Sequence, residues 1–315
     1  MNTKELTVIV PHISSSGLRL DQVLSKSFKQ YSRSCLKQWI LLNHVYVNNM
    51  IANRPDKKIL GGERISIYPI PQNIKQDVPE NIYLNVVYED DYILVINKPS
   101  GLVVHPGAGN HKGTVFNALL YRYSNLKIIK LPRAGIIHRL DKNTSGLMVI
   151  AKTITAYNFL FNSLKNRKII RKYQGIVKGS MISGGTINAP IIRHHWKRTS
   201  MMVHSLGKKS VTHYQIINRF HSHTHVSIQL ETGRTHQIRV HMLHIGHPLI
   251  GDSLYSGMNR KFNYKLCKDV EKRISYFSRQ ALHANHLSLF HPISRSKMSW
   301  TVSLPKDMTE LLSYL

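Results

Sequence analysis

Cysteine is nearly absent from this chain: Cys35 and Cys267 are the only two in 315 residues. Two thiols far apart make neither a disulfide framework nor a CxxC pair, so a reducing cytoplasm is the expected compartment. Acidic residues are scarce as well, with 16 Asp and Glu against 44 Lys and Arg. Long apolar runs are missing; no stretch approaches the length of a spanning helix, and no membrane association is expected. The opening MNTKELTVIVPHISSSG does not show the basic, apolar and cleavable order of a signal peptide. No internal repeat or low-complexity tract is evident.

What is present in excess is positive charge, +28 formally, with a pI near 10.2. Solubility does not require so much. A surplus of this size predicts a polyanionic partner, because each phosphate neutralised by Lys or Arg releases condensed counterions. The 19 histidines raise the question of a metal. His221, His223 and His225 alternate in a strand-like stretch without a Cys or carboxylate among them. An exposed strand face is expected there, and no metal or other cofactor.

Two domains are expected, at residues 17–76 and 82–315. In the first, Leu20, Val23, Leu24 and Phe28 recur at helical spacing. Ser32 and Ser34 sit where an N-cap would, ahead of a second stripe of Leu36, Trp39, Ile40 and Leu42. A strand at residues 44–47 ends in Asn48-Asn49, which tolerate a left-handed turn, and Gly61-Gly62 precedes a closing strand. Residues 69–81 are proline-rich and read as a linker. Beyond them strand patterns dominate, among them ILVINKP, GIIHRL, GLMVIAKT, KYQGIVKG and THVSIQLET, with helices expected near residues 113–123 and 155–168. The fold class is α+β: a small helix-helix-strand domain, then a domain built around a largely antiparallel mixed sheet.

The sharpest chemical signal is a count of carboxylates. Between Asp91 and Glu231 there is one acid, Asp141, against twenty-one Lys and Arg. Positive surroundings favour an ionised carboxylate. Asp141 lies where one β-rich run ends and another begins, on a connection from which a side chain can reach a ligand. The residues alone leave two roles open for it, catalysis or bracing a turn against Arg139 or Lys142. A second cluster, ETGRTHQIRVHMLHIGHPLIGD, gathers Arg234, His236 and Arg239, with Ile238, Val240 and Met242 alternating with polar neighbours. Guanidinium forks suit phosphate or carboxylate, although a solvated basic face has the same composition. In RKYQGIVKG, Tyr173 stands in a strand beside Arg171 and Lys172; an isolated Tyr is as readily core as catalytic.

HRLDKNTSGLMVIAKT resembles the catalytic motif of the pseudouridine synthases, in the branch named for ribosomal large-subunit synthase A. The resemblance extends through VVYEDDYILVINKPSGLVVHPGAGN, RHHWKRTSMMVH, KKSVTHY and ALHANHLSLFHPIS, nearly everything from residue 82 onward. It implies an RNA isomerase, with Asp141 as the catalytic carboxylate, Arg239 as its partner and Tyr173 against the target base. Arg139 would help hold a flipped-out conformation, and His138, Arg234 and His236 would contact the RNA. Asn143 departs from the family, which often has Asp there. The N-terminal GLRLDQVL, YSRSCLKQWI and VYVNN resemble an S4 RNA-binding domain, which implies that Arg33 and Lys37 meet RNA phosphates; Asn49 stands where a turn Gly is usual.

The implied partner is large-subunit ribosomal RNA or an assembling large ribosomal subunit, with uridines of helix 69 as targets and the protein acting as a monomer. A synthase acting on another ribosomal or transfer RNA site, and a non-catalytic ribosomal-RNA-binding assembly protein, are the rival expectations. A glycoside hydrolase would need two carboxylates flanking the bond, and Asp141 has no sequence-near partner.

Overall fold

The computed structural model describes residues 5–10, 17–31, 33–69, 78–107, 109–123, 131–255, 272 and 274–315. Ser32, Cys267 and most of the expected linker lie outside the described residues. The chain divides into two compact units, residues 1–77 and 78–315.

The small unit contains strands β1 (Leu6–Ile9), β2 (Leu18–Arg19), β3 (Val45–Val47), β4 (Met50–Ile51), β5 (Lys58–Ile59) and β6 (Arg64–Ile67). Its helices are α1 (Leu20–Ser27) and α2 (Arg33–Leu41). Leu20, Val23 and Leu24 of α1 and Leu36, Trp39 and Ile40 of α2 are buried against Val45, Val47, Ile65 and Ile67 of the sheet. Those are the two expected apolar stripes, save that Leu42 is exposed. Asn43, Asn48 and Asn49 all take positive φ, as Asn tolerates at a turn. The Asn48 side chain also accepts the Arg64 amide at 2.9 Å. Ser34 lies inside α2 rather than capping it.

Among the described residues the main sheet of the large unit has nine strands: β7 (Val86–Glu89), β8 (Ile93–Lys98), β9 (Ser145–Ala151), β10 (Ile170–Lys178), β11 (Gly185–Asn188), β14 (Val211–Arg219), β15 (His223–Leu230), β16 (Leu282–Phe290) and β17 (Lys297–Thr301). The path runs β11-β14-β15-β10-β16-β9-β8-β7, with β17 also on β16. Every pairing is antiparallel except β9 with β16. A separate hairpin pairs β12 (Ile191–Arg193) with β13 (Met201–Val203). Among the described residues the unit also has helices α3 (Val115–Arg122), α4 (Ile154–Lys165), α5 (Gln237–His244) and α6 (Lys306–Ser313).

The centre of the sheet is covered on both faces, which explains why its strands read as nearly unbroken apolar runs. Along β9, Met148 and Ile150 enter one core while Leu147, Val149 and Ala151 enter the opposite one. Residues Leu94 and Ile96 of β8 join the first, Ile93 and Val95 the second. Gly146 sits at φ 117°, and a Cβ there would fall 2.3 Å from the carbonyl oxygen of Ala284, so the parallel pairing requires glycine.

Two local expectations fail, that of a GIIHRL strand and that of an exposed histidine face. GIIHRL is not a strand: it makes one bridge, Ile136 to Ile150, after a 3-10 turn at Pro132–Gly135. The alternation of Ile238, Val240 and Met242 belongs to α5, where every residue from Gln237 to Met242 is buried, so no period distinguishes the faces. His223 and His225 are not on an exposed face. Both are buried, with His223 bonded to Ser222 and His225 to Gln174. Among the described residues no group of three potential metal ligands comes together.

Candidate active site

Asp141 follows the 3-10 turn and leads into β9, in a loop fixed by its backbone. The Lys142 carbonyl accepts from the Gly101 amide at 2.9 Å and from Lys98 Nζ at 3.0 Å. Arg279 donates to the Asn143 carbonyl, Gln280 donates to Thr144 Oγ1 at 3.0 Å, and Ser145 Oγ meets His283 Nδ1 at 2.9 Å. The loop is therefore anchored from β8 on one side and β16 on the other. Asn143 contributes a carbonyl here, an atom that an Asp at the same position would also supply.

Lys98 is fully buried, and sequence patterning did not single it out. Its Nζ donates to the carbonyls of Pro99 (2.7 Å), Leu102 (2.8 Å) and Lys142. Burial pushes the ammonium down to about 7 while nearby Asp141 pulls it up. Three acceptors match the three donors of the protonated form; a neutral amine would leave one carbonyl unpaired. Lys98→Met is expected to destabilise the protein by about 2–4 kcal/mol, because the Pro99 and Leu102 carbonyls lose the donor that Lys98 supplies. Urea unfolding at neutral pH measures this, and a midpoint equal to the parent's would contradict it.

Arg239 comes to Asp141 from α5. Its Nη1 donates to Asp141 Oδ2 at 3.0 Å, while Nε and Nη2 grip both oxygens of Asp252 at 2.7 and 2.8 Å. Asp252 is 1% exposed and closes the HPLIGD segment; its role has no signature in the spacing of the sequence. The Arg239 guanidinium also lies over the Tyr255 ring, 4.9 Å from its centroid. Burial works against its charge, but the two carboxylates outweigh that and raise its pKa. Gln237, 2% exposed, locks the start of α5: its Oε1 accepts from Thr232 Oγ1 and the Arg234 amide, and its Nε2 donates to Val211 O and Thr212 Oγ1. His236 precedes it at φ 55°, with Nδ1 on Tyr255 Oη at 2.8 Å and Nε2 3.9 Å from Asp141.

A cavity of about 490 Å³ opens beside Asp141, within the usual size of a ligand site. His138, Arg139, Tyr173, Arg234, His236 and Arg239 all line it, so the fold brings together every candidate from the two long motifs. Seven Lys and Arg line it against two acids, Asp141 and Glu231, and Glu231 is already paired with Arg167 and His213. The cavity thus presents uncompensated positive charge, suited to a polyanion.

Individual roles differ. Tyr173 is 5% exposed on β10, and burial raises its phenol pKa, so it presents a neutral ring to the cavity. His138 accepts the Val149 amide through Nε2, and burial lowers its pKa to about 3, so a neutral ring at the cavity wall braces β9. Arg139 is exposed at the rim, and Arg234 rests its Nε on Lys209 O at 3.3 Å. Arg171, overlooked beside Tyr173, is buried with an unpartnered Nε, and a Cβ on Gly233 would lie 2.9 Å from its guanidinium. Arg33 and Lys37 belong to the small unit. Arg33 pairs with buried Asp21 at 2.8 Å, and Lys37 is exposed on α2.

Comparison with known proteins gives consistent results for both units. A family described as RNA pseudouridylate synthase matches residues 92–244, and the S4 domain matches residues 18–65. The chain is 62% identical over 316 residues to the ribosomal large subunit pseudouridine synthase D of Buchnera aphidicola subsp. Schizaphis graminum, covering 100% of this chain and 99% of that one. It is 52% identical to the protein of the same name from Haemophilus influenzae, over 95% of this chain and 91% of the relative. Among solved structures, human RNA pseudouridylate synthase domain containing 4 aligns with a TM-score of 0.57 at 27% identity, covering 73% of this chain and 92% of that one.

Proposed function

The chain belongs to the RNA pseudouridylate synthases and carries an S4 domain, and on that premise we propose that it isomerises uridines of large-subunit ribosomal RNA in the cytoplasm, with helix 69 as the target and Asp141 as the catalytic carboxylate. One observation carries the proposal: Asp141 stands at a basic cavity on the guanidinium of Arg239, which Asp252 fixes from behind.

The reaction breaks the C1′–N1 bond of uridine, turns the uracil and joins C1′ to C5; the C5 proton is then lost and N1 regains one. No electrons are exchanged overall. The base has to leave its stack first, at a cost of a few kcal/mol recovered by stacking and hydrogen bonding in the pocket. Tyr173 offers a ring for that stacking, and Arg139 at the rim takes the space the base vacates. Asp141 either attacks C1′ or removes a sugar proton to give a glycal. Both routes need a carboxylate held in one orientation, which the Arg239 Nη1 bond supplies while the fork of Nε and Nη2 on Asp252 fixes the guanidinium. Asp141 is also a candidate to accept the C5 proton at the end.

Mapping pseudouridines in ribosomal RNA with and without this protein tests the proposal. Loss of helix 69 pseudouridines in its absence, and their return on adding the purified protein, is the expected result; an unchanged map would refute it. No described helix is long and apolar enough to cross a membrane.

The small unit is proposed to hold RNA through exposed Lys29, Lys37, Lys57, Lys58 and Arg64. Deleting residues 1–77 should then weaken RNA binding and flatten the dependence of log affinity on log salt by about 0.7 to 0.9 for each phosphate no longer neutralised. Turnover at saturating RNA should change little. A salt slope equal to the parent's, on protein with an unaltered melting temperature for the remaining unit, would refute the anchoring role.

A further inference from the structure

The β12–β13 hairpin carries a feature that the isomerisation does not use. Trp196 at its tip is 90% exposed, whereas Trp39 is buried and Trp300 packs against Tyr88. The tip is an ordered turn. His194 Nδ1 accepts the amides of both Trp196 and Lys197 at 3.2 Å, and Ser200 donates to the Lys197 carbonyl from its amide (2.8 Å) and its hydroxyl (2.9 Å). The Arg193 guanidinium closes the turn onto the Arg198 carbonyl. This framework holds the indole out in solvent instead of letting it fold back on the protein. Both neighbours that follow it, Lys197 and Arg198, are exposed cations, and no acid lies between Asp141 and Glu231 in the chain.

The base of the hairpin is continuous with the wall of the site. Ile191, Met201 and Val203 pack with Val240 of α5 and with Tyr255. Tyr255 Oη accepts the Met201 amide at 2.8 Å and meets His236 Nδ1, and its ring carries the Arg239 guanidinium. The hairpin and the partner of Asp141 are thus parts of one packed cluster.

We infer that Trp196 is a stacking platform for an unpaired base of the RNA substrate, one that flanks the isomerised uridine, with Lys197 and Arg198 on adjoining phosphates. A flat, hydrated aromatic set among cations is what single-stranded nucleic acid uses, since every base has a face to stack. The inference rests on the proposed RNA substrate. It adds a subsite that selects for an unpaired neighbour.

The test uses the full chain, its Trp196→Ala and Trp196→Phe variants, and an RNA stem-loop together with versions carrying an abasic nucleotide at each unpaired position in turn. Both affinity and pseudouridine formation are measured. Trp196→Ala should raise Kd and KM about tenfold, with kcat within about twofold, and Trp196→Phe should recover most of the loss. At one position the abasic RNA should cost the parent the same factor and cost Trp196→Ala nothing more. Unchanged Kd for Trp196→Ala, or equal losses at every abasic position, would overturn the inference. So would an effect of Trp196→Ala seen only on binding to anionic phosphatidylglycerol vesicles. Parent protein that binds with this coupling yet forms no pseudouridine would overturn the enzymatic proposal and leave the stacking platform standing.

Discussion

Replacing Asp141 by asparagine is expected to stop pseudouridine formation while leaving RNA affinity within a few-fold of the parent's. The amide has the shape of the carboxylate and keeps an oxygen that Arg239 Nη1 can reach, so the loop and its backbone anchors survive. What disappears is the charge: a neutral amide neither attacks C1′ nor takes a sugar proton. Affinity is dominated by a surface with a formal surplus of +28, where one charge more or less changes little. Single-turnover assays of pseudouridine formation, paired with filter binding, separate the two effects. A variant that modifies RNA at a rate comparable to the parent's would return Asp141 to the role of loop brace.

Removing the arginine should be worse for the protein as a whole. Arg239→Ala strips the counter-charge from Asp252, which is 1% exposed, as well as from Asp141. An uncompensated buried carboxylate costs about 3–5 kcal/mol, so the variant should lose both turnover and much of its stability. Arg239→Lys keeps a charge but cannot span two carboxylates with one ammonium, and only partial rescue is expected. Asp252→Asn divides the effects: Arg239 still reaches Asp141 while the fork loses its fixed end. Turnover should then fall by about 10- to 100-fold, as when an outer partner of a functional group is removed. The combination Asp141→Asn with Asp252→Asn should show no further loss of rate, because the residues act as one unit. Near-normal kcat in Arg239→Ala, or a rate loss in Asp252→Asn fully explained by unfolding, would break the proposed chain from Asp252 through Arg239 to Asp141.

The amino-acid sequence by itself was enough for the fold class and for the residues that the fold gathers around the candidate cavity from the two long motifs. Helical spacing of Leu20, Val23, Leu24, Leu36, Trp39 and Ile40 is a local property, and it survived into the small unit's core. The isolation of Asp141 among twenty-one cations is likewise visible without coordinates, as is the basic excess that points to a polyanion. Where periodicity was lost, the sequence misled. Residues 237–242 are buried all round, so a helix there shows no face, and GIIHRL is apolar because Ile136 and Ile137 enter the two cores, although it meets the sheet through one isolated bridge.

Tertiary structure alone decided the partners. Lys98, Asp252, Tyr255 and Arg171 lie far from Asp141 in the chain, and only the folded sheet brings Asp252 behind Arg239 and Lys98 beneath the 141–145 loop. A charged side chain in a sequence carries no mark of whether it will be solvated or buried. That depends on whether distant groups can satisfy it, as three carbonyls do for Lys98 and one guanidinium does for Asp252.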